Sequence, residues 1–159
     1  MQWGVLLIVM FLMFSCAQED KSEAINKATS LRFTNEVWNS GNVDVLDEVV
    51  TENYVLHYPA SAETPLINGR DAMKEYVANA HKTYPDIHIE PGYLLAEGDL
   101  LAASWTVTGT NAELGVAVEV PGISIVRYQD GKAVEEWVSY DTQLMADQLA
   151  VDSDTEADN

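Results

Sequence analysis

Apolar residues recur along this chain with two different periods, and the change from one to the other divides it. Over residues 24–40 the positions Ala24, Ala28, Leu31 and Trp38 fall on one helical stripe, which Gly41 stops. Asn42 can cap a second, short helix in which Val45, Leu46, Val49 and Val50 recur at one and four. Residues 54–59 (YVLHYP) read as a short extended piece ended by its proline. A third helix is expected after Asn68-Gly69, with Met73, Tyr76, Val77, Ala80 and Tyr84 on one face and Pro85 as its stop. From Ile87 onward the period becomes two. Strands are expected over residues 87–96, 100–111, 116–128 and 132–140, separated by Glu97-Gly98-Asp99, a region around Gly115, and Gln129-Asp130-Gly131. The Asp-Gly pair is a strong signal for a tight hairpin. Residues 142–149 suit a last helical turn or two. Helices followed by an antiparallel meander predict an α+β domain whose helices cover one face of a curved sheet.

Composition changes this picture mainly at the ends. Eight Lys and Arg stand against 26 Asp and Glu, a net charge of -18, and no basic cluster exists to meet phosphate, so nucleic acid is excluded as a partner. Residues 5–14 (VLLIVMFLMF) carry no polar side chain and precede Ser15, Cys16 and the polar Gln18-Glu19-Asp20-Lys21. Ten residues span roughly 15 Å as a helix, half of a bilayer core, which suits a signal peptide better than a membrane span. Met13-Phe14-Ser15-Cys16 resembles a bacterial lipobox, in which the cysteine is diacylated and becomes N-terminal. The alternative is a buried N-terminal helix with a core cysteine. On the lipobox reading residues 1–15 are a signal peptide, 16–23 a lipid-anchored tether, 24–150 the domain and 151–159 a disordered acidic tail. The protein would then sit in the bacterial cell envelope. Cys16 is the only cysteine, and the three histidines lack ligand spacing, so neither a metal site nor a cofactor is implied.

Seven short stretches together resemble a known family. They are Trp38-Asn39-Ser40-Gly41-Asn42, residues 54–60, Asn68-Gly69-Arg70-Asp71-Ala72, Tyr84-Pro85-Asp86, Ala96-Glu97-Gly98-Asp99, residues 105–110 (WTVTGT) and residues 130–137 (DGKAVEEW). Their identity and order are similar to the SnoaL-like polyketide cyclases of the nuclear-transport-factor-2-like superfamily, over residues 24–150. The resemblance implies a cone-shaped barrel, with a curved antiparallel sheet wrapped around the N-terminal helices and enclosing a deep pocket. It also implies a homodimer formed sheet to sheet. It does not fix a reaction.

Position by position, the resemblance places Asn111 where many relatives carry a pocket histidine, and Ser124 where the cyclases carry their aspartate. Neither can shuttle a proton near neutral pH. His57 can, and the resemblance puts it at the pocket wall; the alternative is a histidine that ties down the neighbouring loop. On the last strand Glu135, Trp137, Ser139 and Asp141 share a parity opposite Val134, Glu136, Val138 and Tyr140. Tryptophan mixed with carboxylates suits a ligand cavity, so Glu135 and Asp141 join His57 as candidate proton-transfer groups. Equally, Asp141 can cap the terminal helix and Glu135 can pair with Arg127. Trp38, Trp105, Asn111, Ser124 and Trp137 are the candidate ligand-binding residues, and His81 and His88 are expected on the surface. Two functions fit: a lipid-anchored domain binding a small, mostly apolar molecule without the full cyclase acid/base set, or an isomerase, cyclase or hydrolase that uses His57 on a small carbonyl compound.

Overall fold

The computed structural model describes residues 21–150, so the apolar run, Cys16 and the acidic tail lie outside the described residues. Helix α1 (Lys21–Arg32) continues through a π-helical stretch, Phe33–Trp38, and a 3-10 turn at Val43–Val45 leads into α2 (Leu46–Val49). Strand β1 (Val50–His57) and the short β2 (Leu66–Asn68) precede α3 (Arg70–Thr83). The meander then runs β3 (His88–Glu97), β4 (Leu100–Thr110), β5 (Ala117–Gln129) and β6 (Lys132–Tyr140), and α4 (Thr142–Ala150) follows.

All six strands form one curved sheet in the order β2-β1-β6-β5-β4-β3, open at both ends. Every pairing is antiparallel except β1 with β6, which run parallel. That single parallel pairing brings the first strand beside the last.

Local chemistry accounts for most of the boundaries. Asn42 accepts from the Asp44 amide at 3.3 Å and so caps the 3-10 turn. Asp130 and Gly131 have φ of 52° and 77°, as a two-residue primed turn requires, and they join β5 to β6. Asp86 takes the Thr110 amide at 2.6 Å and its hydroxyl at 2.8 Å, tying the end of β4 to the loop after α3. Both contacts favour the charged carboxylate, and they hold the Asp86 carboxyl below the ordinary aspartate range.

The first helix departs from expectation. Lys21 to Glu23, read as tether, form its first turn, and Glu23 accepts from the Gly98 amide at 3.2 Å. Its buried face is not the Ala24, Ala28, Leu31 stripe: Ala24 and Ala28 are exposed, whereas Asn26, Val37 and Trp38 are buried. Asn26 donates to the Gly98 carbonyl and Thr29 to the Gly131 carbonyl, so polar side chains clamp the helix onto the two hairpin turns. Sequence periodicity counts apolar residues and passes over such contacts. The π-helical stretch then shifts the phase, which brings Val37 and Trp38 into the core together.

The core lies between the concave side of the sheet and the helices. Val37, Leu46, Val50, Tyr54, Met73, Val77 and Leu101 are fully buried there. On β5 burial alternates strictly: Val118, Val120, Ser124, Val126 and Tyr128 point in, while Glu119, Ile123, Ile125 and Arg127 point out.

Candidate functional site

A cavity of about 830 Å3 remains between sheet and helices. Its walls are aromatic and aliphatic. Trp38 and Phe33 come from the first helical segment, Tyr76 and Tyr84 from α3 and its end, Tyr54 and Tyr58 from the region of β1, and Met145 and Leu149 from α4. Edge-to-face and tilted contacts run through the wall, with ring centres 6.1 Å apart for Trp38 and Tyr76, 5.6 Å for Tyr58 and Tyr76, and 6.1 Å for Tyr58 and Tyr140. The segment 59–65 and α4 both line the cavity and are joined by a 2.9 Å hydrogen bond between the Ser61 and Thr142 hydroxyls.

Among the described residues, one buried carboxyl lies within this apolar wall: Glu136, 8% exposed. Tyr54 donates its hydroxyl hydrogen to Glu136 Oε2 at 2.6 Å. Ser124 supplies a second hydroxyl contact, and its own oxygen accepts from Trp105 Nε1 at 3.0 Å. Burial pushes the Glu136 carboxyl above the ordinary glutamate range, and the two hydroxyl donors oppose that shift without cancelling it. Tyr54, wholly buried, is in turn pushed well above its ordinary value, first by burial and then by the neighbouring Glu136. The group is therefore a neutral acid at pH values where an exposed glutamate is ionised, and it can donate a hydrogen bond or a proton into the cavity. Trp105 reaches Ser124 because Gly122 lies opposite it across the β4–β5 ladder; a Cβ there would collide with the indole.

Of the sequence-predicted residues, Trp38, Trp105, Asn111 and Ser124 line the cavity. Asn111 does so with its side-chain oxygen engaged, accepting from the Glu113 and Leu114 amides at 3.1 and 3.0 Å to close the turn after β4. His57, Glu135 and Trp137 do not line it. Inward positions on β1 are Tyr54 and Leu56, so His57 points to the outer face, as do its strand neighbours across the β1–β6 pairing. There Glu135 bridges His57 Nε2 at 3.0 Å and Arg127 at 3.2 Å. The His57 ring stacks on Trp137 at 5.5 Å, and Arg127 lies 5.3 Å from the same indole. Asp141 accepts from the Leu144 amide at 2.9 Å and caps α4. His88 is exposed, as expected, but His81 is half-buried and bonds the Trp38 carbonyl at 2.8 Å.

The parity expected of β6 is thus reversed: Glu136, Val138 and Tyr140 face the cavity, and the Glu135, Trp137, Ser139 set faces out. A bulge at Val134 contributes. Arg127 pairs with Glu135 but Tyr128 with Ala133, so Ala133 and Glu136 both point inward although they are three residues apart. The available signal was the inward tyrosine and leucine parity of YVLHYP, which sets His57 outward, together with Val138 and Tyr140 beside Glu136.

The SnoaL-like domain model matches residues 31–136. The chain belongs to the SnoaL-like domain family. No curated protein matches it significantly. Among solved structures, a candidate polyketide cyclase from Bacillus cereus ATCC 10987 is 28% identical, with a TM-score of 0.70 and a match covering 86% of this chain and 87% of that one. IdmH from Streptomyces antibioticus, also a candidate polyketide cyclase, is 25% identical, with a TM-score of 0.66 over 78% of this chain and 97% of that one. A candidate SnoaL-like polyketide cyclase from Jannaschia sp. CCS1 is 20% identical at a TM-score of 0.75, over 84% of this chain and 97% of that one, and shows the shared fold. The α+β cone of this SnoaL-like chain has the nuclear-transport-factor-2-like fold.

Proposed function

We propose that this SnoaL-like domain binds a small, mostly apolar molecule in its cone, with Glu136 as the polar anchor. The observation that carries the reading is a cavity of about 830 Å3 whose aromatic wall is interrupted by one buried, hydrogen-bonded carboxyl. Lipid anchoring through Cys16 in a bacterial cell envelope is supported by the apolar run at residues 5–14 and by the small residue before the cysteine. A sheet-to-sheet homodimer is supported by the outer face, where Tyr93, Leu95 and Ile123 are 81%, 68% and 55% exposed.

The neutral probe N-phenyl-1-naphthylamine tests the cavity. Saturable binding is expected, with energy transfer from Trp105, and Ala103→Trp should abolish it because Ala103 lines the same space. Binding unaffected by Ala103→Trp would contradict the reading. Labelled fatty acid should be incorporated into the wild-type chain and not into Cys16→Ser; failure of both to incorporate it would remove the anchor.

A catalytic reading is favoured by the raised proton affinity of Glu136 beside Tyr54. On a carbonyl compound, Glu136 would act as the general acid in the part first given to His57. Turnover would then fall roughly 100-fold or more in Glu136→Gln and persist in His57→Ala.

A further inference from the structure

The charge distribution around the cavity narrows what it can hold. Among the described residues that line it there is no Lys, Arg or His, while Glu136 and Glu63 both do so. An anionic ligand would enter a wall with no counter-charge, in a chain whose net charge is -18. The partners given to Glu136 are the neutral hydroxyls of Tyr54 and Ser124. A carboxyl out of water attracts a nearby cation more strongly than one in water does, because the lower dielectric around it screens the charges less. Aromatic rings surround it. Tyr54, Tyr58 and Tyr128 all lie within electrostatic reach of Glu136, and Tyr58 packs on Tyr76 and Tyr140. Ring faces carry negative potential and attract organic cations.

We propose that the occupant is an organic ammonium ion on an apolar body, its charge seated between Glu136 and the rings of Tyr54, Tyr58 and Tyr128. This rests on the reading that the cavity is the ligand site, and adds the ligand's charge. Binding such a cation favours the ionised form of Glu136, so a proton leaves the empty site as the ligand enters. The titratable groups facing Glu136 are tyrosines, from β1 (Tyr54), the turn after it (Tyr58) and β5 (Tyr128); Ser124 on β5 and Trp105 on β4 complete its polar surroundings. Affinity should therefore rise with pH through the titration of Glu136 and then level off.

The experiment displaces N-phenyl-1-naphthylamine from the purified full-length chain with benzyltrimethylammonium and with its uncharged carbon isostere, neopentylbenzene. The cation is expected to compete about tenfold or more better than the isostere. Glu136→Gln should abolish that preference, and Tyr58→Leu should reduce it. The wild-type pH profile keeps the test open even if Glu136→Gln does not fold: cation affinity should increase with pH and isostere affinity should not. Equal competition by the two compounds, a preference that survives Glu136→Gln, or a flat pH profile for the cation would overturn the charge assignment while reporter binding still upholds the cavity. Failure of the reporter and both competitors to bind would overturn both.

Discussion

Glu135 and Glu136 are adjacent on β6, yet the sheet gives them opposite environments. Glu135 lies on the outer face, its side chain 30% exposed and shared between His57 and Arg127. Glu136 lies buried on the cavity face, held by a tyrosine and a serine and carrying its proton to higher pH. The outer cluster has the residue types usually sought at a catalytic centre: a histidine, a carboxylate, an arginine and a tryptophan. It lies on the outer face instead, partly exposed, where charge pairs are weak. The inner face sets Glu136 among tyrosines, and burial raises the proton affinity of Glu136, Tyr54 and Tyr58. Chemistry in this fold is decided by which side of a strand a residue occupies more than by which residue it is.

Removing a side chain from each face should separate them most. Tyr54→Ala takes out a fully buried ring and the donor to Glu136, and should cost about 3–5 kcal/mol in urea denaturation. Glu119→Ala on the outer face of β5, where the side chain is exposed, should stay within about 0.5 kcal/mol. Comparable losses would mean that the concave side is not the packed side. Next in size is Gly122→Ala, which should displace the Trp105 indole from Ser124 and cost about 1–3 kcal/mol, with a change in tryptophan emission. Unchanged emission and stability would show that the indole does not lie over Gly122.

The pH dependence should also differ between the faces. The folded-state value of Glu136 is raised, so the native state binds this proton more tightly than the unfolded chain does. Its contribution to stability is complete below the unfolded value of about 4.3 and is lost as pH rises through the higher folded value. Glu136→Gln should therefore remove a decline in stability on going from acid towards neutral pH that Glu135→Gln leaves in place. The smallest effect is expected for His57→Ala, which breaks a partly exposed hydrogen bond and a ring contact: a loss of about 1 kcal/mol or less, with probe affinity unchanged. A large loss of binding or turnover in that variant would return His57 to the site.

These contrasts also mark what the sequence made legible. The meander and its Asp-Gly turn follow from period-two alternation and turn chemistry, both local properties; the strand at β4 and its inward Trp105 emerge from the same pattern. The phase of β6 does not, because the bulge at Val134 depends on pairing with β5 and because Trp137 lends apolar weight to the outward parity. Nor does the buried face of α1, where Asn26 and Thr29 face inward to bond carbonyls more than seventy residues away in sequence. The site was missed at Glu136 for the same reason. Its importance comes from burial beside Tyr54, 82 residues earlier in the chain, and no local window contains that pair.

Carboxyl carbon NMR of glutamate-labelled protein, with the Glu136 resonance assigned by its loss in Glu136→Gln, tests the central claim most directly. The expected result is a Glu136 midpoint clearly above the value of about 4.3 for free glutamate, and a shift of that resonance when a cavity ligand is added. A midpoint at or below the free value, with no response to a ligand that displaces the cavity probe, would contradict the assignment of Glu136 as the polar centre of the site.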